Sequence, residues 1–443
     1  MFRSDRASQR FDMGEEIMDK KSMEREARMK QRFEDKSSHT SFRYLRKMRE
    51  LSGASEEMAP FFDTLDRIYT KMKNMNVPGD VPLIGTYCVM VPQELIYAAG
   101  AQPVKLCSGS YTAFSIGDEK VPRDACPLVK AVEGFRSIGT MPVYSECRMF
   151  AVPVTCDCKK KIAGMLASQR NTAVLHVPVN KEDEDIEQYV EELYGFMEKL
   201  EDVTGNRITY ASLSESMRMT GRAAYELSRF ISLKKQMPYL IRGTHSMAMM
   251  NAAAYMNAGI WSDQVRNLNE ALEKRVRNKE TFTKRQLPRV LITGSPIIFP
   301  NIKIPLLIEE MGGFVAADET CMGERGMSDP VVPVDDSFDG LIRSLAVRAI
   351  RPCSCPTFAD NKQRIFRIRQ MIRDYKIEGV IYHVLRGCLV YDFEYRKIEE
   401  DLGRLGIPVI RLETDYNEED IEQLRIRIEA FIEMIKLQKT PEI

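Results

Sequence analysis

Short apolar segments recur along this chain, each running into a small-residue or cysteine-bearing loop and then into a helix. This alternation limits the folds open to it. The clearest segment is Gly379 to Leu385, GVIYHVL, followed by Arg386-Gly387-Cys388. A strand apolar on both faces belongs inside a parallel sheet covered on both sides. An earlier stretch, Gly85 to Gly100 (GTYCVMVPQELIYAAG), repeats the pattern. Residues Val81 to Ile84 lead into it as a strand. Pro92 suits a first helical turn, where its missing N–H costs nothing. Glu94 lies early in that helix, and Gly100 is a natural stop.

Further strands are predicted at Gln102 to Leu106, Met149 to Val154 and Thr172 to Val179, then at Arg289 to Thr293, Phe314 to Ala317 and Pro408 to Leu412. Helices fall between them, so the fold class is α/β, with parallel sheets covered by helices on both faces. Residues 1–76 are highly charged and read as a helical arm, with Met58 to Met75 amphipathic and packed on the body. Val77-Pro78-Gly79-Asp80 breaks that helix. A first α/β domain is expected over 77–182, a helical bridge or insertion over 183–287, and a second α/β domain over 288–443.

Lys+Arg and Asp+Glu each number 64, so net charge gives no reason to expect nucleic acid or an acidic membrane as partner. No apolar run reaches the length of about 18 residues that a membrane helix needs. The first residues, MFRSDRASQRFDMGEE, lack the apolar core of a secretory signal, and a cytoplasmic protein is the expectation. In that compartment ten cysteines point to metal or redox chemistry rather than disulfides.

Cys88, Cys126, Cys156, Cys321 and Cys388 share one context. Each stands where a strand ends or a helix begins, a position that favours thiolate and faces the ligand crevice of open α/β sheets. Cys353 lies in a proline-bounded loop, Arg351-Pro352-Cys353-Ser354-Cys355-Pro356. If the carboxyl edges of the two sheets face each other, these six thiols converge on one cleft. With four histidines in the chain and no CxxC pair, such a set favours an iron–sulfur cluster, with zinc second. Buried structural thiols are the competing reading for any one of them. By the same test Cys107, Cys147 and Cys158 look dispensable, and Cys355 is ambiguous. Lys159, Lys160 and Lys161 open the helix after Cys156, either as a solvated face or as cations for a cluster or phosphate.

The segments YCVMVPQELIYAAGAQPVKLC, ACPLVKAVEGF, TCDCKKKI, GSPI, RPCSCPT, GVIYHVLRGCLVYDFE and IPVIRLETD carry a resemblance. Together they resemble the 2-hydroxyacyl-CoA dehydratase D-component family, which includes benzoyl-CoA reductase subunits and double-cubane cluster proteins. The resemblance runs from about Gly85 to the C-terminus and leaves the charged arm outside. It implies two flavodoxin-like domains with a cluster between them. In the dehydratases three cysteines hold a 4Fe–4S cluster and leave one iron for substrate; the matching positions are Cys88, Cys126 and Cys388. The TCDxKKK and PCxC signatures look more like the double-cubane branch, in which two cubanes share a sulfide (8Fe–9S). There Cys156, Cys321 and Cys353 match the additional ligands. Met141 stands where this branch often has a cysteine.

The resemblance further implies a homodimer that receives low-potential electrons from a separate ATP-hydrolysing iron–sulfur activator. This chain has no GxxxxGK[ST] loop of its own. Reduction of a small molecule is the first functional expectation. Radical dehydration of an acyl-CoA by a single-cubane subunit is the second, and a non-catalytic cluster carrier the third. Glu94 and His383, both near cysteines of the set, are candidates for proton transfer, against structural roles for each.

Overall fold

The computed structural model describes residues 5–71, 81–139, 142–168, 170–327 and 329–438, apart from the side chains of residues 5–22 and 142. The expected break at Val77 to Asp80, and Met141, lie outside the described residues.

Eight strands form two sheets: β1 Leu83–Thr86, β2 Gln102–Lys105, β3 Cys147–Val154 and β4 Thr172–His176, then β5 Arg289–Gly294, β6 Phe314–Glu319, β7 Gly379–Leu385 and β8 Val409–Thr414. Their orders are β2-β1-β3-β4 and β6-β5-β7-β8, with every pairing parallel. The two sheets thus share one winding: the chain steps outward from β1 to β2, then crosses back to β3 and on to β4. The reversal puts a crevice beyond the carboxyl ends of β1 and β3, and another beyond β5 and β7, where doubly wound folds bind ligands. Helices cover both faces of each sheet, and β7 is buried along its whole length, as its unbroken apolar run requires. This is an α/β protein of two flavodoxin-like domains.

The helical stretch between the sheets divides into Asp183–Thr204, Tyr210–Gln236, Gly243–Ala252 and Ala258–Asn278. The last of these starts at Ala258, with the Asn257 side chain accepting from the Gly259 N–H. The N-terminal segment is one helix, Asp5–Glu50. From Met23 it runs mostly exposed, then buries Phe33, Tyr44, Leu45 and Met48. Helix Ala59–Tyr69 follows and buries Phe61, Phe62, Leu65, Ile68 and Tyr69, the face expected from its amphipathic spacing. The largest apolar core runs through both halves, joining Leu83 and Phe150 of the first sheet to Ile292 and Leu385 of the second. Among the described residues no helix is long and apolar enough to cross a membrane.

Candidate functional site: a chamber of cysteines between the sheets

Cys88 stands two residues beyond β1, Cys107 two beyond β2 and Cys156 two beyond β3. All three therefore sit at the carboxyl edge of the first sheet. Cys126 is the N-cap of helix Pro127–Ile138, with Pro127 in the first turn. On the second sheet Cys321 follows β6 and Cys388 follows β7, while Cys353 and Cys355 lie on the loop after helix Phe338–Ile350. These eight cysteines, four from each half, line a single cavity of ≈ 160 Å³.

Two glycines show how the halves come so close. Gly387 adopts φ +74°, and a Cβ on it would meet the Asp124 carbonyl oxygen at 2.3 Å. The loop carrying Cys388 thus rests on the loop carrying Cys126. A Cβ at Gly326 would meet the Cys321 carbonyl oxygen at 2.1 Å and Val89 at 3.4 Å, which brings the Cys321 loop against the Cys88 loop.

All six thiols singled out by position in the sequence are in this wall, and Cys107 and Cys355 join them. The signal for Cys107 was available, since it follows its strand as Cys88 does. The order of the sheet edge, which puts β2 beside β1, was not. Cys147 lies elsewhere, buried at the start of β3 with its thiol donating to the Val143 carbonyl. Cys158 is half-buried and outside the lining.

Local structure differs from expectation at Cys88: Pro92 is the N-cap of helix Gln93–Ala98 rather than part of its first turn, so Cys88 lies in the turn between strand and helix. Cys156 occupies the N-cap of helix Asp157–Ala167. Burial here outweighs any help from a helix terminus. It pushes the Cys107 thiol up to about 12 and Cys388 to about 11, and raises Cys126, Cys156, Cys321, Cys353 and Cys355 as well. Buried thiols of this kind ionise when a metal replaces the proton.

The charged residues of the wall are Lys105, Lys159, Arg325, Asp329, Arg348 and Arg367; Arg367 pairs with Asp329, and Arg348 with Glu94. Arg325 bonds to Glu319, the Ser354 carbonyl and the Tyr391 hydroxyl. Glu319 also accepts from Thr293 at 2.6 Å and from Arg364, which in turn pairs with Glu394. Burial alone would raise the Glu319 pKa, but the Arg325 and Arg364 guanidiniums outweigh it and hold the carboxylate below its usual range. This balanced frame sits under Cys321, Cys353 and Cys355. No local pattern in the chain points to Arg325, which acts across distant segments. Lys159 and Lys105 make no ion pair among the described residues. Lys159 donates to the Tyr87 carbonyl at 2.8 Å; burial draws its pKa down, and the neighbouring sulfurs of Cys88, Cys107, Cys156 and Cys355 bring it above its usual value. Burial draws the Lys105 pKa down, opposed by Cys321, Cys88 and Cys107. Lys160 and Lys161 are exposed, so the lysine run divides after its first member.

The two candidates for proton transfer stand apart. Glu94 is buried, bonded to Arg348 at 2.8 Å and to Thr220 at 2.9 Å, and lines a second cavity next to the cysteines. His383 is buried within β7, with Nδ1 2.9 Å from the Ser295 carbonyl, and is absent from the cysteine wall. Burial lowers its pKa to about 4.

The donor chemistry fits a polynuclear iron–sulfur group. Eight soft thiol sulfurs surround one space with Lys105 and Lys159 beside them, and among the described residues no histidine enters it. Among the described residues no three His, Cys, Asp or Glu side chains are grouped as ligands of one metal ion. Bound there, a cluster would supply low-potential electron transfer, and the wall cysteines would hold it.

Fold and site together define a two-domain flavodoxin-like protein with a thiolate chamber at the meeting of its sheet edges. Residues 88–435 match the family model described as 2-hydroxyglutaryl-CoA dehydratase, D-component, and the chain belongs to that family of enzyme subunits. It is similar to "Putative dehydratase subunit YjiM" of Escherichia coli (strain K12), 32% identical over 80% of this chain and 92% of that one. It is 25% identical to the (R)-phenyllactyl-CoA dehydratase beta subunit of Clostridium sporogenes, over 82% of this chain and 94% of the relative. A benzoyl-CoA reductase component from Thauera aromatica is 22% identical over 79% of this chain and 89% of its own.

Proposed function

We propose that this chain is an iron–sulfur reductase that carries a double-cubane cluster in its cysteine chamber and reduces a small molecule with electrons from a separate ATP-hydrolysing activator. The observation that carries this reading is the division of the wall: Cys88, Cys107, Cys126 and Cys156 from one half, Cys321, Cys353, Cys355 and Cys388 from the other. A single cubane with one open iron needs three thiolates. A second cubane needs thiolates of its own, and Cys156, Cys321 and Cys353 are in place to supply them. The chain's own residues hold the group, balance its charge through Lys105 and Lys159, and restrict access to it. Glu94 is the nearer candidate for moving a proton. A homodimer, each chain with its own cluster, is part of the proposal, as is the activator, because this chain has no phosphate loop.

The second reading is a dehydratase subunit with a single 4Fe–4S cluster on Cys88, Cys126 and Cys388. It is favoured by the names of relatives such as the (R)-phenyllactyl-CoA dehydratase beta subunit. Iron and sulfide counting on anaerobically purified chain separates the two. About eight irons per chain, lowered in Cys321→Ser and Cys353→Ser, supports the double cubane. About four, unchanged in both variants, returns the protein to the dehydratase reading. A colourless chain with stoichiometric zinc defeats both.

A further inference from the structure

Three turns of the second half bring its cysteines to the chamber: the turn after β6 with Cys321, the loop with Cys353 and Cys355, and the turn with Cys388, which is the N-cap of helix Leu389–Gly403. One side chain bonds within all three. Arg325 belongs to the first, in the helical turn Glu324–Gly326. That turn folds back so closely that a Cβ on Gly326 would meet the Cys321 carbonyl oxygen at 2.1 Å. The Arg325 guanidinium donates to Glu319 at 3.2 Å, to the Ser354 carbonyl at 3.4 Å and to the Tyr391 hydroxyl at 2.5 Å. Ser354 stands between Cys353 and Cys355, and Tyr391 lies in the first helical turn after Cys388.

Acceptors in three directions suit a guanidinium, whose N–H groups diverge in a rigid plane, whereas an ammonium offers its donors from one point. The Arg325 side chain is 5% exposed and that of Glu319 is fully buried. A buried ion pair contributes little net stability over apolar side chains of the same size, because both charges lose their water. What these bonds do is hold three separate turns in one arrangement. A group ligated by several thiolates binds weakly when the turns that carry them are loose, since each must then be ordered on binding. The neighbouring guanidinium of Arg364 has a different reach. It bonds to Glu319, Glu394, Thr293 and Tyr382, and so ties sheet to helix rather than turn to turn. Asn361 supports one turn alone, donating to the Ser354 carbonyl at 3.1 Å.

We propose that Arg325 is a positioning residue, which sets the three cysteine-bearing turns of the second half in place before any group is bound. The inference deepens the proposed function and rests on it for what the cysteines then hold, but the three bonds do not depend on it.

Amide hydrogen exchange of the full chain, after anaerobic chelation of its iron, tests the proposal with no group bound. In Arg325→Gln, and in Arg325→Lys, which keeps the charge but not the fork, exchange around Cys321, Cys353 and Cys388 should quicken about tenfold or more. That is the scale of a lost charge-assisted hydrogen bond. Strands β5 and β7 should keep wild-type rates. Tyr391→Phe removes one acceptor, should quicken exchange around Cys388 alone, and keeps the test decisive if neither Arg325 variant folds. Wild-type rates in Arg325→Lys would show that the charge suffices and would overturn the assignment. Quickening shared equally by β5 and β7 would overturn it too, by making Arg325 a general prop of the fold. With the Arg325 variants unfolded, an unchanged turn at Cys388 in Tyr391→Phe has the same force. Iron counted before chelation is a separate readout and should be lower in both Arg325 variants than in wild type. A wild type without iron would remove the cluster reading and leave the exchange rates to decide on Arg325.

Discussion

His245 is fully buried, with Nε2 2.9 Å from the Met48 carbonyl oxygen and Nδ1 without a partner among the described residues. The bond joins helix Gly243–Ala252 to the end of the N-terminal helix. Burial is the main cause that lowers the His245 pKa to about 4, from 6.5 in a free chain. Between those values the unfolded chain binds a proton that the folded chain refuses. Stability from this group is therefore present above pH 6.5 and is lost as pH falls towards 4. The shift corresponds to about 3 kcal/mol at full burial. Asp318 works in the opposite sense, since burial raises its pKa to about 6, so the whole-protein profile mixes signs. The difference between variants isolates the histidine. Denaturant unfolding of wild type and His245→Gln should show the wild type losing its advantage between pH 6.5 and 4. Parallel pH profiles would contradict the assignment.

At the scale of elements, Cys126 depends on a helix crossing. Helix Tyr111–Asp118 meets helix Pro127–Ile138 backbone to backbone. A Cβ on Gly117 would lie 1.8 Å from the Lys130 carbonyl oxygen, and one on Gly134 would lie 1.9 Å from that of Ala113. Neither neighbour can yield, because each is main chain. Gly134→Ala should separate the helices, cost about 1–3 kcal/mol as overpacking does, and shift the N-cap that carries Cys126. The expected result is a lower unfolding midpoint together with lower iron content after anaerobic purification. Full iron content with unchanged stability would show that the crossing does not set the cysteine.

The same crossing explains what could be read from the residues alone. Strands such as Gly379–Leu385 were legible because a parallel strand covered on both faces must be apolar throughout. Helix Pro127–Ile138 was legible from its cysteine–proline start. Helix Tyr111–Asp118 was not, because YTAFSIGD is short, and its place depends on Gly134 in another helix. Strand β6 was expected to end at Ala317 but continues through Asp318, which accepts from the Thr320 N–H, and Glu319, which Thr293, Arg325 and Arg364 engage. Partners distant in sequence also hid Lys105 and Arg325 as site residues. Six cysteines of the wall were found from local context, since the carboxyl edge of a strand is a local property.

Across the whole molecule, the chamber joins parts of the chain that are far apart in sequence. Cys88 and Cys388 line one space, and Gly387 lies against Asp124 where the two halves meet. Any group ligated from both sides binds only when the halves are together, so its binding free energy adds to the stability of that arrangement. The apolar core also runs through both halves, from Phe150 to Leu385, and does not need the ligand. Removing iron by anaerobic chelation should therefore lower the unfolding midpoint while leaving one cooperative transition. Hydrogen exchange should quicken about tenfold or more in the turn after β1 and in the loops around Cys321 and Cys388, the segments that carry the proposed ligands. Protection within β5 and β7 should change little. Two separated transitions after chelation would mean that the ligated group, and not the shared core, is what makes the halves a single cooperative unit.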